Sequence, residues 1–299
     1  MSLESRQENV RNIAEHYEYV ADVFGREESY RGNAWMSPAP IMNIGYWERG
    51  ATSARQAQED FVHFAASRLG PLEGRHVLDA GCGLAGPASI LAHDYGAQID
   101  GITIVPRQIE WAQRFLAAHQ LDDRVRVHLG SAMDMPFADE TFDIVLSLEA
   151  AHCFADKSRF LAEASRVLRP GGTLLVIDLI ATRPELIFCW QPALKLRLIT
   201  ARQWETLLSS AGFRIEESQL IGRQIYPGYR RWLLLTAAER RDKLFKRICP
   251  DETNGLVRSG ARIRAWATEF ALCRSVLPLA SRVGLREYGL FLARKSRAA

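Results

Sequence analysis

His76-Val-Leu-Asp-Ala-Gly-Cys-Gly-Leu-Ala-Gly86 is the stretch that decides the fold. His76 to Ala80 make a short apolar strand ended by glycines, and Ala85 to Tyr95 read as a helix. A strand that passes through glycines straight into a helix opens a βαβ unit. The same alternation continues down the chain. Gln98 to Ile104 is a second strand, Pro106 starts a helix running to about His119, and Val125 to Leu129 alternates as a third strand. Thr141 to Leu148 is a fourth. Asp156 is placed to cap a helix whose Phe160, Leu161, Ala164, Val167 and Leu168 recur at helical spacing. Pro170-Gly171-Gly172 stops it, and Thr173 to Asp178 is a fifth strand, apolar along its length as a strand buried on both faces must be. Strands alternating with helices require right-handed crossovers and a mostly parallel α/β sheet with helices on both faces.

Working outward, residues 5–70 hold two helical stretches joined by an aromatic, Gly/Pro-containing loop, and residues 200–221 read as a helix and a sixth strand from Phe213 to Leu220. A helical insert over 229–280, opened by the capping-box pattern Thr236-Ala-Ala-Glu239, precedes a last strand, Glu287 to Ala293. The expected organisation is a helical cap (1–70), a ligand-binding core (71–221), a helical lid inserted before the seventh strand (222–285), and that strand with its tail (286–299). Of 299 residues, 47% are hydrophobic and 24% charged, which excludes a disordered chain. No apolar run reaches the roughly 18 residues of a membrane span, and the first residues lack a secretory apolar segment. The five cysteines are dispersed without a C-x-x-C pair, which argues against a structural zinc or a disulfide framework. These features lead us to expect a cytoplasmic protein that carries no metal.

The loop from Asp79 to Gly86 carries the chemistry. Its glycines let backbone approach a ligand closely, and the following helix aims its N-terminus at a negative group. Gly81, Gly83 and Gly86 also satisfy G-x-G-x-x-G, so an NAD(P)-dependent oxidoreductase is a competing reading. Three further features shift the balance: Asp79 two residues before Gly81, Asp134-Met-Pro-Phe137 before Thr141-Phe-Asp143, and Arg166-Val-Leu-Arg-Pro-Gly-Gly172 before the fifth strand. As a set, in that order, they resemble the class I, Rossmann-like S-adenosylmethionine-dependent methyltransferases. The resemblance covers about residues 40–180 well and 200–220 less closely. Gly101-Ile-Thr-Ile104 and Asn43-Ile-Gly-Tyr-Trp47 are similar to the small-molecule branch, which includes tocopherol, sterol and natural-product sugar methyltransferases.

The resemblance implies a cofactor, S-adenosyl-L-methionine, leaving as S-adenosyl-L-homocysteine. It would place Asp79, Gly81 and Gly83 on the amino-acid part, Thr103 with Gln108 at the ribose, Ala132 and Met133 along the adenine, and Leu148 beside the methionine moiety. Tyr46 and Trp47 match an aromatic pair that closes over the cofactor. Thr103 and Ser131 stand where many relatives carry acids, so only neutral contacts are available there.

A hydroxyl acceptor must lose a proton during methylation, which calls for a base titrating near the working pH. His152 follows the fourth strand and Asp178 ends the fifth, so adjacent parallel strands would bring both to the carboxyl edge. Their spacing is similar to the His and Asp of rebeccamycin-type sugar O-methyltransferases, which implies His152 as base and Asp178 as its orienting partner. Glu149 is a further candidate for orienting substrate or cofactor. The expected reaction is O-methylation of a secondary-metabolite hydroxyl. The alternatives are C-methylation of a prenyl or sterol-like double bond, and a non-catalytic binding protein on the same scaffold. Residues 181–299 carry 22 Lys and Arg against 10 Asp and Glu, whereas residues 1–180 carry 16 against 25. The basic run from Arg230 to Arg247 could be a solvated helix face, a seat for an anionic substrate, or an interfacial helix for lipophilic ones. The expected partner is thus a small acceptor, lipophilic or anionic, with no nucleic acid, no stable membrane insertion, and room for a homodimer.

Overall fold

Side-chain alternation along each strand sets two faces to be covered, and the computed structural model, which describes residues 41–182, 197–235 and 287–296, shows how they are covered. Helix α1 (Ala54–Leu69) leads into β1 (His76–Ala80), α2 (Gly86–Tyr95), β2 (Gln98–Thr103), α3 (Pro106–Ala118), β3 (Val125–Leu129) and β4 (Phe142–Leu148). A 3₁₀ turn (Ala151–Cys153), α4 (Lys157–Val167), β5 (Leu168–Ile180), α5 (Ala201–Ser210), β6 (Phe213–Leu220), α6 (Gly222–Leu235) and β7 (Glu287–Lys295) follow. The seven strands form one sheet in the order β3-β2-β1-β4-β5-β7-β6. The first five strands are parallel; β7 runs antiparallel between β5 and β6. The mostly parallel α/β sheet expected from the sequence is therefore present, with β7 as its one antiparallel strand.

Alternate residues of each strand face opposite layers. Val77, Ile99, Ile144, Leu175 and Ile177 pack with Phe61, Leu91 and Leu116 from α1, α2 and α3, and with Ile225 from α6. Leu78, Ile102, Val145, Leu174 and Val176 pack with Phe160, Leu161, Trp204 and Leu208 from α4 and α5. Asp156 caps α4 by accepting from the Arg159 backbone N–H at 3.0 Å. Two boundaries differ from the sequence reading. Strand β5 begins at Leu168 instead of Thr173, because Leu168 pairs with Phe142 before a register shift brings Thr173 opposite Ile144. Helix α6 starts at Gly222 and carries Pro227 inside it. Most of the expected cap (1–40) and of the lid, including Thr236-Ala-Ala-Glu239 and Arg240 to Arg247, lies outside the described residues.

Candidate active site

The strand order reverses between β1 and β4, and in open α/β sheets the crevice at such a reversal, at the carboxyl ends of the strands, receives the ligand. A cavity of about 380 Å³ lies there. Its floor is the loop after β1. The backbone N–H groups of Gly81 and Cys82 both donate to Ile102 O, at 3.0 and 3.1 Å, which fixes the turn. Gly81 has φ 93° and Gly83 φ 55°. A Cβ on Gly81 would collide with Ala150 Cβ, and one on Gly83 would lie 2.6 Å from Met42 Cε. Helix α2 then starts from Ala85 in the left-handed conformation, with no side-chain cap and no acid in its first turn. Its N–H groups are therefore available to an anionic ligand group such as a carboxylate.

Asp79, on β1, is 2% exposed, and its Oδ2 has no hydrogen-bond partner. Burial pushes its carboxyl up to about 7. A buried acceptor beside a glycine cradle fits a ligand that brings an amine, as the amino-acid part of S-adenosylmethionine does. On the opposite wall Thr103 Oγ1 donates to Gln108 Oε1 at 2.6 Å and accepts from the Val105 N–H at 3.2 Å, presenting paired polar groups from β2 and α3. The segment after β3 adds Ser131, Ala132 and Met133 to the wall.

The other end of the cavity is built after β4. Glu149 adopts φ 49°, its backbone N–H donates to Ile177 O at 2.9 Å, and its Oε1 accepts from the Ile44 N–H at 3.2 Å. Burial, foremost, pushes its carboxyl up to about 8, and the Asp178 charge adds to the rise against the Ile44 N–H. His152 stands in the following 3₁₀ turn, where Asp178 holds it twice. Its backbone N–H donates to Asp178 Oδ2 and its Nδ1 meets Asp178 Oδ1, both at 2.6 Å. Burial opposes the imidazolium, but the Asp178 charge and hydrogen bond and the neighbouring Cys153 outweigh it, so the imidazole titrates well above its ordinary range. Asp178 itself is fully buried behind the imidazole.

Of the sequence candidates, Gly81, Gly83, Thr103, Gln108, Ala132, Met133, Leu148, Glu149 and His152 line this one cavity. Asp79 and Asp178 stand just behind it. Tyr46 and Trp47 do not line it: Tyr46 stacks on Phe64 with ring centroids 4.3 Å apart and its hydroxyl donates to Glu48 at 2.5 Å, while Trp47 packs between Tyr229 and Trp232. The residues just before them, Met42, Asn43 and Ile44, form that wall instead. Asn43 is clamped there by Gln58, whose Nε2 donates to Asn43 O at 2.7 Å. Sequence reasoning missed Tyr226 and Tyr229 on α6 and Tyr288 on β7, which also line the cavity. Tyr226 and Tyr229 share a helix face at i, i+3, a pattern that an earlier start for α6 would have exposed. Among the described residues no group of three or more His, Cys, Asp or Glu side chains is arranged to hold a metal ion.

Comparison with known proteins agrees with this architecture. Residues 78–176 match the Methyltransferase domain family. The chain is 31% identical over 192 residues to the O-methyltransferase cnsE of Penicillium expansum, covering 62% of this chain and 70% of the relative. It is also 31% identical over 251 residues to the 2-methyl-6-phytyl-1,4-hydroquinone methyltransferase of Synechocystis, covering 81% and 76%. Among solved structures, the [4+2]-cyclase SpnF superposes with a TM-score of 0.73 at 24% identity over 97% of both chains, which shows the shared fold. The chain belongs to the class I, Rossmann-like S-adenosylmethionine-dependent methyltransferases of the natural-product branch, and S-adenosylmethionine is its cofactor. No helix of the described residues is long and apolar enough to cross a membrane.

Proposed function

We propose that the enzyme methylates a hydroxyl group of a small secondary metabolite, with His152 as general base. The observation that carries this reading is the His152–Asp178 pair at 2.6 Å, set in the wall of the same cavity as the glycine loop. Bound S-adenosylmethionine supplies a methyl group on a cationic sulfur. Asp79 and the Gly81–Gly83 turn would hold its amino-acid part, Thr103 and Gln108 its ribose, Ala132 and Met133 its adenine, and Leu148 would flank its methionine chain. Tyr46 and Trp47, by packing against α1 and α6, would hold the Met42–Ile44 wall in place. The acceptor hydroxyl would give its proton to His152. Asp178 fixes the ring, selects the tautomer with Nδ1–H, and stabilises the imidazolium that forms. Because His152 titrates above the usual imidazole range, its neutral form gains population toward alkaline pH, and turnover rises with it. Glu149 would orient the acceptor. The names of several relatives, O-methyltransferases among them, support the reaction class.

Replacing His152 with Ala is expected to lower kcat by about 10²–10⁴-fold, the usual weight of a general base, with S-adenosylhomocysteine binding retained. Turnover of the native acceptor at the wild-type rate would remove His152 from the mechanism. A second reading, C-methylation of a prenylated or sterol-like acceptor, is favoured by Glu149, Tyr226, Tyr229 and Tyr288 lining the same cavity, since a carboxylate and aromatic faces steady a carbocation. Mass spectrometry and NMR of the product separate a methyl ether from a new C–methyl group.

A further inference from the structure

We propose that the Tyr288 hydroxyl is a specificity-determining donor that recognises a second, neutral oxygen of the methyl acceptor, a carbonyl or hydroxyl other than the one methylated. The inference rests on the proposed function only in calling the bound molecule the methyl acceptor. Tyr288, on β7, pairs with Leu179 of β5, is fully buried, and lines the cavity. The Tyr226 ring packs edge-on against it with centroids 5.5 Å apart, which fixes the ring. Its hydroxyl oxygen is shut off from solvent and has no hydrogen-bond partner among the described residues. Buried hydroxyls are nearly always hydrogen-bonded, so one left open in a cavity wall marks a point where a ligand supplies the partner.

The surroundings set what that partner is. Burial, foremost, holds the phenol in its protonated form, so the ligand atom must accept a hydrogen bond. No Lys or Arg stands in the described wall, and a buried anion there would lack a counter-charge, so a neutral oxygen fits. Position assigns the oxygen to the acceptor. The loops that take up the donor follow β1, β2 and β3, whereas the sheet order puts β7 three strand spacings from β1, roughly 14 Å away on the far side of β4 and β5.

The acceptor is thus held at two polar points, its reacting hydroxyl at His152 and its second oxygen at Tyr288. Leu148, Leu179 and the rings of Tyr226 and Tyr229 supply apolar wall around them. A molecule that lacks the second oxygen leaves the buried hydroxyl unpaired, and the site rejects it for that reason.

The test is calorimetric titration of the full-length protein, saturated with S-adenosylhomocysteine, using 4-propylphenol and three probes that add one oxygen to it: 4-hydroxypropiophenone, 4-propylcatechol and 4-propylresorcinol. In the wild type at least one of the three is expected to bind about tenfold more tightly than 4-propylphenol, the worth of one buried hydrogen bond. Tyr288→Phe is expected to cut that advantage below about threefold while binding 4-propylphenol as the wild type does. Thermal denaturation of the ligand-free proteins gives a second readout. A hydroxyl without a partner in the folded protein costs nothing to remove, so Tyr288→Phe is expected to melt above the wild type or no more than about 2 °C below it. A larger drop would show that the hydroxyl has a structural partner, such as Glu149, and overturns the proposal. So does the lack of any oxygen-dependent advantage in the wild type, or an advantage equal in both proteins. Failure of the methylation reading shows separately, as wild-type turnover by His152→Ala, and leaves these binding results standing.

Discussion

Asp79→Asn tests the cofactor end of the cavity through the proton that burial forces onto this side chain. The Asp79 carboxyl rises from 3.8 to about 7 because burial penalises its charge and no hydrogen bond reaches Oδ2. The folded ligand-free protein therefore binds more protons than the unfolded chain between those two values, so its stability falls as pH rises through that window and levels off above it. Integrating this linkage gives a loss of about 2.5 kcal/mol between pH 5 and pH 8. Asparagine cannot ionise, so Asp79→Asn should lack this slope and gain on the wild type by that amount at the alkaline end. Ligand binding should show the reverse. An amine paired with Asp79 favours the carboxylate, so S-adenosylhomocysteine affinity of the wild type should rise with pH up to about 7, by as much as tenfold per unit, and level off above it. In Asp79→Asn it should be flatter and about 10- to 100-fold weaker at pH 8, the worth of one charge-assisted hydrogen bond. Urea denaturation of the apo forms and titration calorimetry with S-adenosylhomocysteine, each from pH 5 to 8.5, measure both. Equal pH slopes for wild type and variant, or unchanged affinity at pH 8, would refute the role given to Asp79.

Glu149→Gln asks which protonation state works at the acceptor end. With its carboxyl pushed up to about 8, glutamine should reproduce the neutral form, holding turnover at pH 6.5 within about threefold and erasing an inflection near pH 8. A large loss at pH 6.5 would show that the carboxylate is the working species. Gly81→Ala places a Cβ at φ 93° against Ala150 and should lose S-adenosylhomocysteine binding along with several degrees of melting temperature. Gly70→Ala, at φ 75° and ψ −158° in open space, should cost only backbone strain of about 1–3 kcal/mol and keep binding; equal loss of binding in the two variants would deny the close approach at Gly81.

The sheet was legible because its signals are local. Glycines and prolines punctuate β1, α2 and α3, and the strand ends fall within a residue or two of the apolar runs for β1, β2, β3, β4 and β6. The cofactor end was legible for the same reason, since Gly81, Thr103, Ala132 and Leu148 each stand at or just after the end of a strand. Even the contact of His152 with Asp178 could be read, as adjacent parallel strands carry both residues to one rim. Helix α6 was hidden by Pro227-Gly228, a pair that reads as a turn. In the structure Gly228 instead lets the helix approach Trp47, whose backbone N–H donates to Gln224 O at 3.1 Å. Tyr226, Tyr229 and Tyr288 were missed because they converge from two segments far apart in sequence, and only the antiparallel pairing of Tyr288 with Leu179 brings β7 to the cavity. Tyr46 and Trp47 mark the opposite case: a local motif pointed to the right segment, and packing turned its rings away from the cavity.

The electrostatics of the cavity follow from one imbalance. Its described wall contains Glu149 and His152 but no Lys or Arg, and Asp79 and Asp178 lie directly behind it. Burial makes each isolated carboxylate costly, so Asp79 and Glu149 rise to about 7 and about 8 and take up protons when no cation is near. Such a wall disfavours a phosphate or carboxylate at the acceptor end; an anionic acceptor would need basic residues from outside the described segments. It favours a cation, because a positive charge restores the carboxylates that burial has suppressed. Methyl transfer removes the positive charge from the sulfur of the donor, so this attraction is greatest before reaction and weaker after it. The acidic wall would thus hold the donor more firmly than the spent product, and the proton taken by His152 would leave a positive imidazolium against Asp178, whose carboxylate stabilises it.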